Sequence, residues 1–292
     1  MLSRRTNFGD NLNWLSPINW DCPLNNELVS RWMVLQGQPG WKSSRLLALV
    51  DPLYGHTGTL TNMVPATAWT GARGRPGGFG SLEFGGLNQV VTTTLTKSVI
   101  PTTADVAIMA WVYSSNTGVD DEWFLISNLT DAAPNFHNVS LSKAATGKFY
   151  FNNYDGSEHR AIADIATENQ WVHVAGVRRS SVNYIYINGI EQATTAASGT
   201  PNISAAVTFR IGDGFFSAVG FADDVCVFSR APSAGEVMSR YLDSRQGSPD
   251  TLNWVPTPSG LVVPGGRLHR VSALTGLGGT GQQCFNPTLT GV

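Results

Sequence analysis

The residues of this chain best placed to do chemistry are aromatic side chains set beside small or acidic ones near turns. Tyr154 is followed by Asp155 and Gly156, Trp123 follows the acidic run Asp120-Asp121-Glu122, and Phe215-Phe216 stands between Gly214 and Gly220. An exposed ring can stack on a pyranose face while Asp or Asn binds the hydroxyls, so Phe215, Phe216, Tyr154, Asp155 and Trp123 form a candidate sugar-binding set. Phe215-Phe216 is the hardest of these to assign to a core, because a turn flanked by glycines rarely reaches the interior. A ligand platform and a contact for a neighbouring subunit both fit it.

Catalytic constellations are missing. His56, His137, His159, His173 and His269 are dispersed, with no metal-spaced pair among them. His173 shares a strand face with Trp171 and Ala175, which reads as a sheet histidine with its hydrogen bonds made. No Gly-x-Ser-x-Gly elbow and no phosphate-cradling Gly-rich loop occurs, so the expectation is a protein that is not an enzyme. The cysteines, Cys22, Cys226 and Cys284, are too few and too scattered for a disulfide framework. Cys226 lies in an apolar run and reads as a small buried hydrophobe.

A net charge of −2 supplies no basic field, so binding to nucleic acid through its phosphates is not expected. No stretch approaches the ~18 apolar residues of a membrane helix. The amino-terminal residues, Met1 to Asp10, carry Arg4 and Arg5 with no apolar run behind them, unlike a secretory signal. Arg73 and Arg75 sit among glycines and read as a solvated turn, with a small anion-binding turn through the glycine amides as the alternative.

The elements that must position these residues are strands. Val106–Tyr113, Glu122–Asn128, Val139–Ser142, Lys148–Asn152, Trp171–Val177 and Tyr184–Asn188 are β-branched or aromatic runs at even spacing, without helices between them. That pattern predicts an antiparallel sandwich and excludes a parallel βαβ sheet. Leu24 to Val34 supplies an earlier strand. Arg210 to Arg230 reads as a strand, a Gly212-Asp213-Gly214 turn and a second strand paired with the first. Ser233-Ala-Gly-Glu236 has the spacing of a capping box and predicts one short helix, with an apolar stripe of Ala234, Val237, Met238, Tyr241 and Leu242.

Several of these segments carry a resemblance. Gly80-Ser-Leu-Glu-Phe84-Gly85-Gly86, Val106 to Tyr113, Trp171-Val-His-Val-Ala-Gly-Val177 with Tyr184-Ile-Tyr-Ile-Asn188-Gly189, and Phe221 to Arg230 resemble, in order, motifs of the laminin-G-like, concanavalin A-like lectin/glucanase superfamily. The resemblance covers roughly residues 24 to 245 and implies an all-β, antiparallel jelly-roll sandwich. It also implies calcium as a cofactor to test for, because many relatives bind it through acidic side chains and loop carbonyls. The matching candidates are Asp223, Asp213, Asp120 and Asp121, although the family's Phe-Asp-Gly-x-x-Asp turn is Phe84-Gly85-Gly86-Leu87-Asn88 here, with both acids absent. The paired carboxylates of the family's glucanases are absent too, and with them the means of glycoside hydrolysis.

Residues 1–23 and 246–292 are irregular and rich in Pro, Gly or Asn, and read as extended arms on the 24–245 sandwich. Low charge, no export signal, two arms and no catalytic motif together predict a structural subunit of a phage particle, such as a capsid decoration protein. Its partners would be its own copies and a major capsid protein, and its location the virion. The alternative expectation is a carbohydrate-binding module that works outside the cell on a surface glycan, and a remote one is a divergent glycosidase.

Overall fold

The computed structural model describes residues 28–32, 42–47, 56–71, 74–76, 80–86, 88–96, 105–115, 127–128, 139–144, 146–154, 157–196, 208–212 and 218–245. In chain order the elements are β1 (Leu28–Trp32), β2 (Arg45–Leu47), β3 (Thr57–Thr61), α1 (Pro65–Ala68), β4 (Trp69–Thr70), β5 (Ser81–Gly86), β6 (Val90–Thr96) and β7 (Val106–Ser114). They continue with β8 (Ser127–Asn128), β9 (Val139–Lys143), β10 (Lys148–Tyr154), β11 (Glu158–Ala166), β12 (Trp171–Arg179), β13 (Val182–Ile187), β14 (Ile190–Ala196), β15 (Thr208–Gly212), β16 (Ala218–Phe228) and α2 (Ala234–Arg245).

These strands make two antiparallel sheets face to face, the expected all-β sandwich. The first runs β14-β13-β12-β7-β16-β5-β4, with β1 added alongside the second half of β16; the second runs β11-β10-β9-β8-β15-β6-β3-β2. Between them lies an apolar core including Trp32, Phe84, Val91, Ile108, Val112, Leu141, Phe149, Phe151, Val174, Ile185, Phe209 and Val227. A smaller cluster of Leu28, Ala107, Met109, Ala175, Val177, Tyr186, Cys226, Phe228 and Val237 occupies the other face of the first sheet, where α2 docks. Strand β7 is therefore covered on both sides. Its sequence, Val-Ala-Ile-Met-Ala-Trp-Val-Tyr, is a continuous apolar run rather than an alternating one for that reason.

The expected hairpins β9–β10 and β12–β13 form. The second closes through Ser180 and Ser181, both with positive φ (47° and 63°), the conformation of a tight two-residue turn. The expected pairing of β15 with β16 does not occur. β15 joins β6 and β8 in the second sheet, whereas β16 lies between β7 and β5 in the first, so the connection between them crosses the sandwich. Helix α2 starts on its predicted box: Glu236 N donates to Ser233 Oγ (3.3 Å), and Ser233 N donates to Glu236 Oε2 (2.8 Å). Its buried residues are Val237, Arg240 and Ser244, so the helix is turned away from the predicted apolar stripe, leaving Leu242 exposed.

Candidate functional site

Two places gather chemistry-bearing side chains, one beneath α2 and one at the end of β10. The first is built around a β-bulge. In β16 the register against β7 steps from Asp223↔Trp111 to Cys226↔Met109, and Asp224 takes φ 50°. Inserting a residue puts two successive carboxylates into the space under α2, where strict alternation would admit one. Asp224 accepts from Arg31 Nε (2.5 Å) and Arg31 Nη2 (2.9 Å); Arg75 Nη2 lies 3.5 Å and Arg240 Nη2 4.0 Å from it. Asp223 Oδ2 accepts from Arg75 Nε at 2.7 Å. Arg75 also donates to the Ser244 carbonyl at the end of α2, and its guanidinium lies 5.7 Å from the Trp111 ring centre.

All five charged groups, Arg31, Arg75, Arg240, Asp223 and Asp224, are buried. Burial alone would raise the Asp224 carboxyl; Arg31, Arg240 and Arg75 outweigh it and hold that carboxyl well below the usual carboxylate range. His173 packs against Trp111 and Tyr241 at 5.6 and 5.9 Å between ring centres. Burial pushes its imidazole down to about 3, against the pull of Asp224 and with help from Arg240 and Arg75. Among the described residues its Nδ1 has no partner, in contrast to the satisfied histidine expected.

This place is a clamp rather than an open site. Arg75 is not part of a solvated turn, as its glycine-rich neighbourhood suggested, but an interior ion-pair partner. Asp223 does not fit the role of a calcium ligand, because a guanidinium occupies the oxygen that a hard cation would need. Among the described residues no group of three or more His, Cys, Asp or Glu stands together as a metal set. Asp213, Asp120 and Asp121 lie outside the described residues, as do Phe215, Phe216, Trp123 and Asp155.

The second place includes Tyr154, the sugar-binding candidate within the described residues. Across β10 and β11 the pairs are Tyr150↔Ile162, Asn152↔Arg160, Asn153↔His159 and Tyr154↔Glu158. Phe149 and Phe151 point into the core, so Tyr150, Asn152 and Tyr154 take the outward face of the second sheet, where Tyr150 and Asn152 are buried and Tyr154 is half-buried. There Arg160 and Glu158 form an ion pair of 2.7 Å with both side chains substantially exposed, 36% and 44%. The Arg160 guanidinium also lies 4.7 Å from the Tyr150 ring centre. Thr195 Oγ1 donates to the Arg160 carbonyl, which ties β11 to the neighbouring edge strand β14. The result is a half-buried phenol beside a guanidinium already oriented by a ring and a carboxylate.

Asn152 and Arg160 also end a line of paired positions that crosses the whole second sheet: Arg45, Thr59, Thr92, Arg210, Ser127, Ser140, Asn152 and Arg160. Every residue in that line is polar, in contrast to the apolar inner face. Reading the sequence alone missed Arg160, Glu158 and Asn152. The available signal was the density of polar and aromatic side chains in Asn152-Asn-Tyr-Asp-Gly-Ser-Glu-His-Arg160 around a hairpin turn.

A two-sheet antiparallel sandwich with a capped helix on its outer face, and a line of polar residues on the outward side of the second sheet, defines a lectin-type fold. Residues 84–238, more than half of the chain, match the concanavalin A-like lectin/glucanases superfamily, and the chain belongs to it. No curated protein matches the sequence. Solved structures of similar fold include the receptor binding domain of botulinum neurotoxin C/D mosaic serotype, at TM-score 0.57 and 12% identity over 75% of this chain and 51% of that one. The binding domain of Paraclostridial Mosquitocidal Protein 1 superposes at TM-score 0.55 and 15% identity, over 75% and 52%. Trypanosoma rangeli sialidase does so at 0.52 and 11%, over 75% and 33%. The chain thus spans about half the length of the two binding domains and a third of the sialidase.

Proposed function

We propose that this chain is a carbohydrate-binding module, not an enzyme, whose ligand surface is the outward face of the second sheet at the Tyr154 end. The observation that carries the reading is the half-buried Tyr154 beside the exposed Glu158–Arg160 pair, with Arg160 braced on Tyr150. A ring for stacking and fixed donors and acceptors around it are the ingredients of sugar recognition. Membership of a lectin-bearing superfamily supports it, as does a fold shared with domains described as receptor-binding. On a glycan array the protein binds a defined set of structures, and Tyr154→Ala and Arg160→Met each weaken that binding at least ~10-fold. Binding to no glycan, or equal binding by both variants, rejects it. A calcium requirement would rest on Asp213, Asp120 and Asp121; a Tm that calcium leaves unchanged rejects it, and a rise that persists in Asp213→Ala rejects Asp213 as the ligand.

A second reading, a surface or decoration subunit of a phage particle, draws on the exposed Ile162 and Ile165 of β11 and Ile190 of β14. β11 and β14 are edge strands, and exposed apolar side chains on edges suit contact with another copy or a capsid protein. The arms proposed for that contact, 1–23 and 246–292, lie outside the described residues. The two readings are compatible in one protein. Sedimentation of the full chain, beside protein trimmed to residues 24–245, separates them: a defined oligomer lost on trimming favours the particle subunit, and two monomers disfavour it.

A further inference from the structure

The interior of the sandwich changes chemistry at the end where β10 stops. Along β10, Phe149 and Phe151 lie in the core and Asn153 takes the next inward position. On β13, Ile185 and Ile187 lie in the same core and Asn183 takes the corresponding position. Arg178 is the Cα partner of Asn183 and alternates with the inward-facing Val174. Asn153, Asn183 and Arg178 are 0%, 0% and 3% exposed. Asn183 Nδ2 donates to the His159 carbonyl at 2.7 Å, and His159 is the residue paired with Asn153, so the two amides flank one backbone position. Among the described residues, Oδ1 and Nδ2 of Asn153 and Oδ1 of Asn183 have no hydrogen-bond partner.

Buried amide atoms are almost always partnered, because leaving one open forfeits its hydration for nothing. Here two acceptors and a donor stand open together, and the guanidinium of Arg178 nearby disfavours a metal cation. We infer that Asn153 and Asn183 form an interior site for a hydroxyl-type O–H group, which donates to an amide Oδ1 and accepts from Asn153 Nδ2. An ordered water supplies that chemistry.

The test turns on a sign. Asn153→Leu keeps the branch at Cγ and replaces both polar atoms with methyl groups. If the amide is merely orphaned, the substitution deletes a penalty and Tm rises or stays unchanged. If the amide holds an O–H group, its hydrogen bonds are lost and Tm falls by about 2–6 °C. Because Asn153→Leu also alters packing, the unsubstituted protein is examined in parallel by NMR. The Asn153 Nδ2 protons show a cross-peak to long-lived water. A Tm that does not fall, or Asn153 protons with no such cross-peak, overturns the inference.

Discussion

Asp224 accepts both donors of the Arg31 fork and lies within 4.0 Å of Arg240, so its removal strands guanidinium groups in a dry space. Asp224→Ala is expected to lower the unfolding free energy by about 3–5 kcal/mol, read from urea denaturation. The pair Arg31→Met with Asp224→Asn should recover part of that loss, because it removes one stranded guanidinium and keeps a residue type that tolerates the left-handed φ at this position. His173 gives a second expectation. Its imidazole is held at about 3 in the folded protein against 6.5 ordinarily, so between those values the unfolded chain binds the extra proton. Its contribution to stability is complete above about pH 6.5 and is lost as pH falls toward 3. Tm measured across that window should flatten in His173→Gln. At this scale the sequence was half legible. Asp223-Asp224 stood out as an acidic pair, but Arg31, Arg75 and Arg240 are scattered along the chain, and nothing local shows that they converge. A pair of acids near a turn looks like a calcium site until the guanidinium groups arrive.

Elements were read well wherever a local rule governs them. The Ser233–Glu236 box is such a rule: Arg230 and Ser233 hold the Glu236 carboxylate below its usual range despite partial burial, and Glu236 also pairs with Arg230 at 2.7 Å. Ser233→Ala should cost about 1 kcal/mol in denaturant melts. The helix face was misread because Arg240 and Ser244 are polar by type, yet they turn inward to reach Cys226 Sγ (3.1 Å) and the Trp111 indole (2.8 Å). Ser180-Ser181 hid a tight turn for a similar reason, since serine carries none of the Asn-Gly signal of such hairpins. Gly176 is the converse, an unremarkable glycine in a strand with a strict job. A Cβ there would lie 2.1 Å from Phe151 Cδ2 across the sandwich. Gly176→Ala should destabilise by about 1–3 kcal/mol or more, and Phe151→Leu in the same protein should return part of it.

For the whole molecule, composition and strand spacing gave the sandwich, but not which strand belongs to which sheet. That assignment depends on the crossings from β5 to β6 and from β15 to β16, each of which looks like an ordinary hairpin in sequence. Helix α2 then completes the outer face of the first sheet. Ending the chain at residue 232 should expose Met109, Cys226 and Phe228 and leave Asp224 without Arg240. The expected product aggregates, while protein ending at residue 245 remains soluble with Tm near that of the full chain; light scattering and a thermal melt compare them. The candidate sugar site was legible only through Tyr154, because its companions Asn152 and Arg160 meet by cross-strand register rather than by spacing along the chain.

Pairing of β1 with β16 joins Leu28 to Phe228 and Trp32 to Val225. During synthesis at roughly 5–20 residues per second, the earliest described strand emerges about 10–40 s before its partner exists. Its apolar Leu28 and Trp32 spend that interval unpaired, a window in which a chaperone has something to hold. Closing so long a loop belongs to the late steps of folding, so Arg31→Met should speed unfolding far more than it slows refolding in stopped-flow experiments.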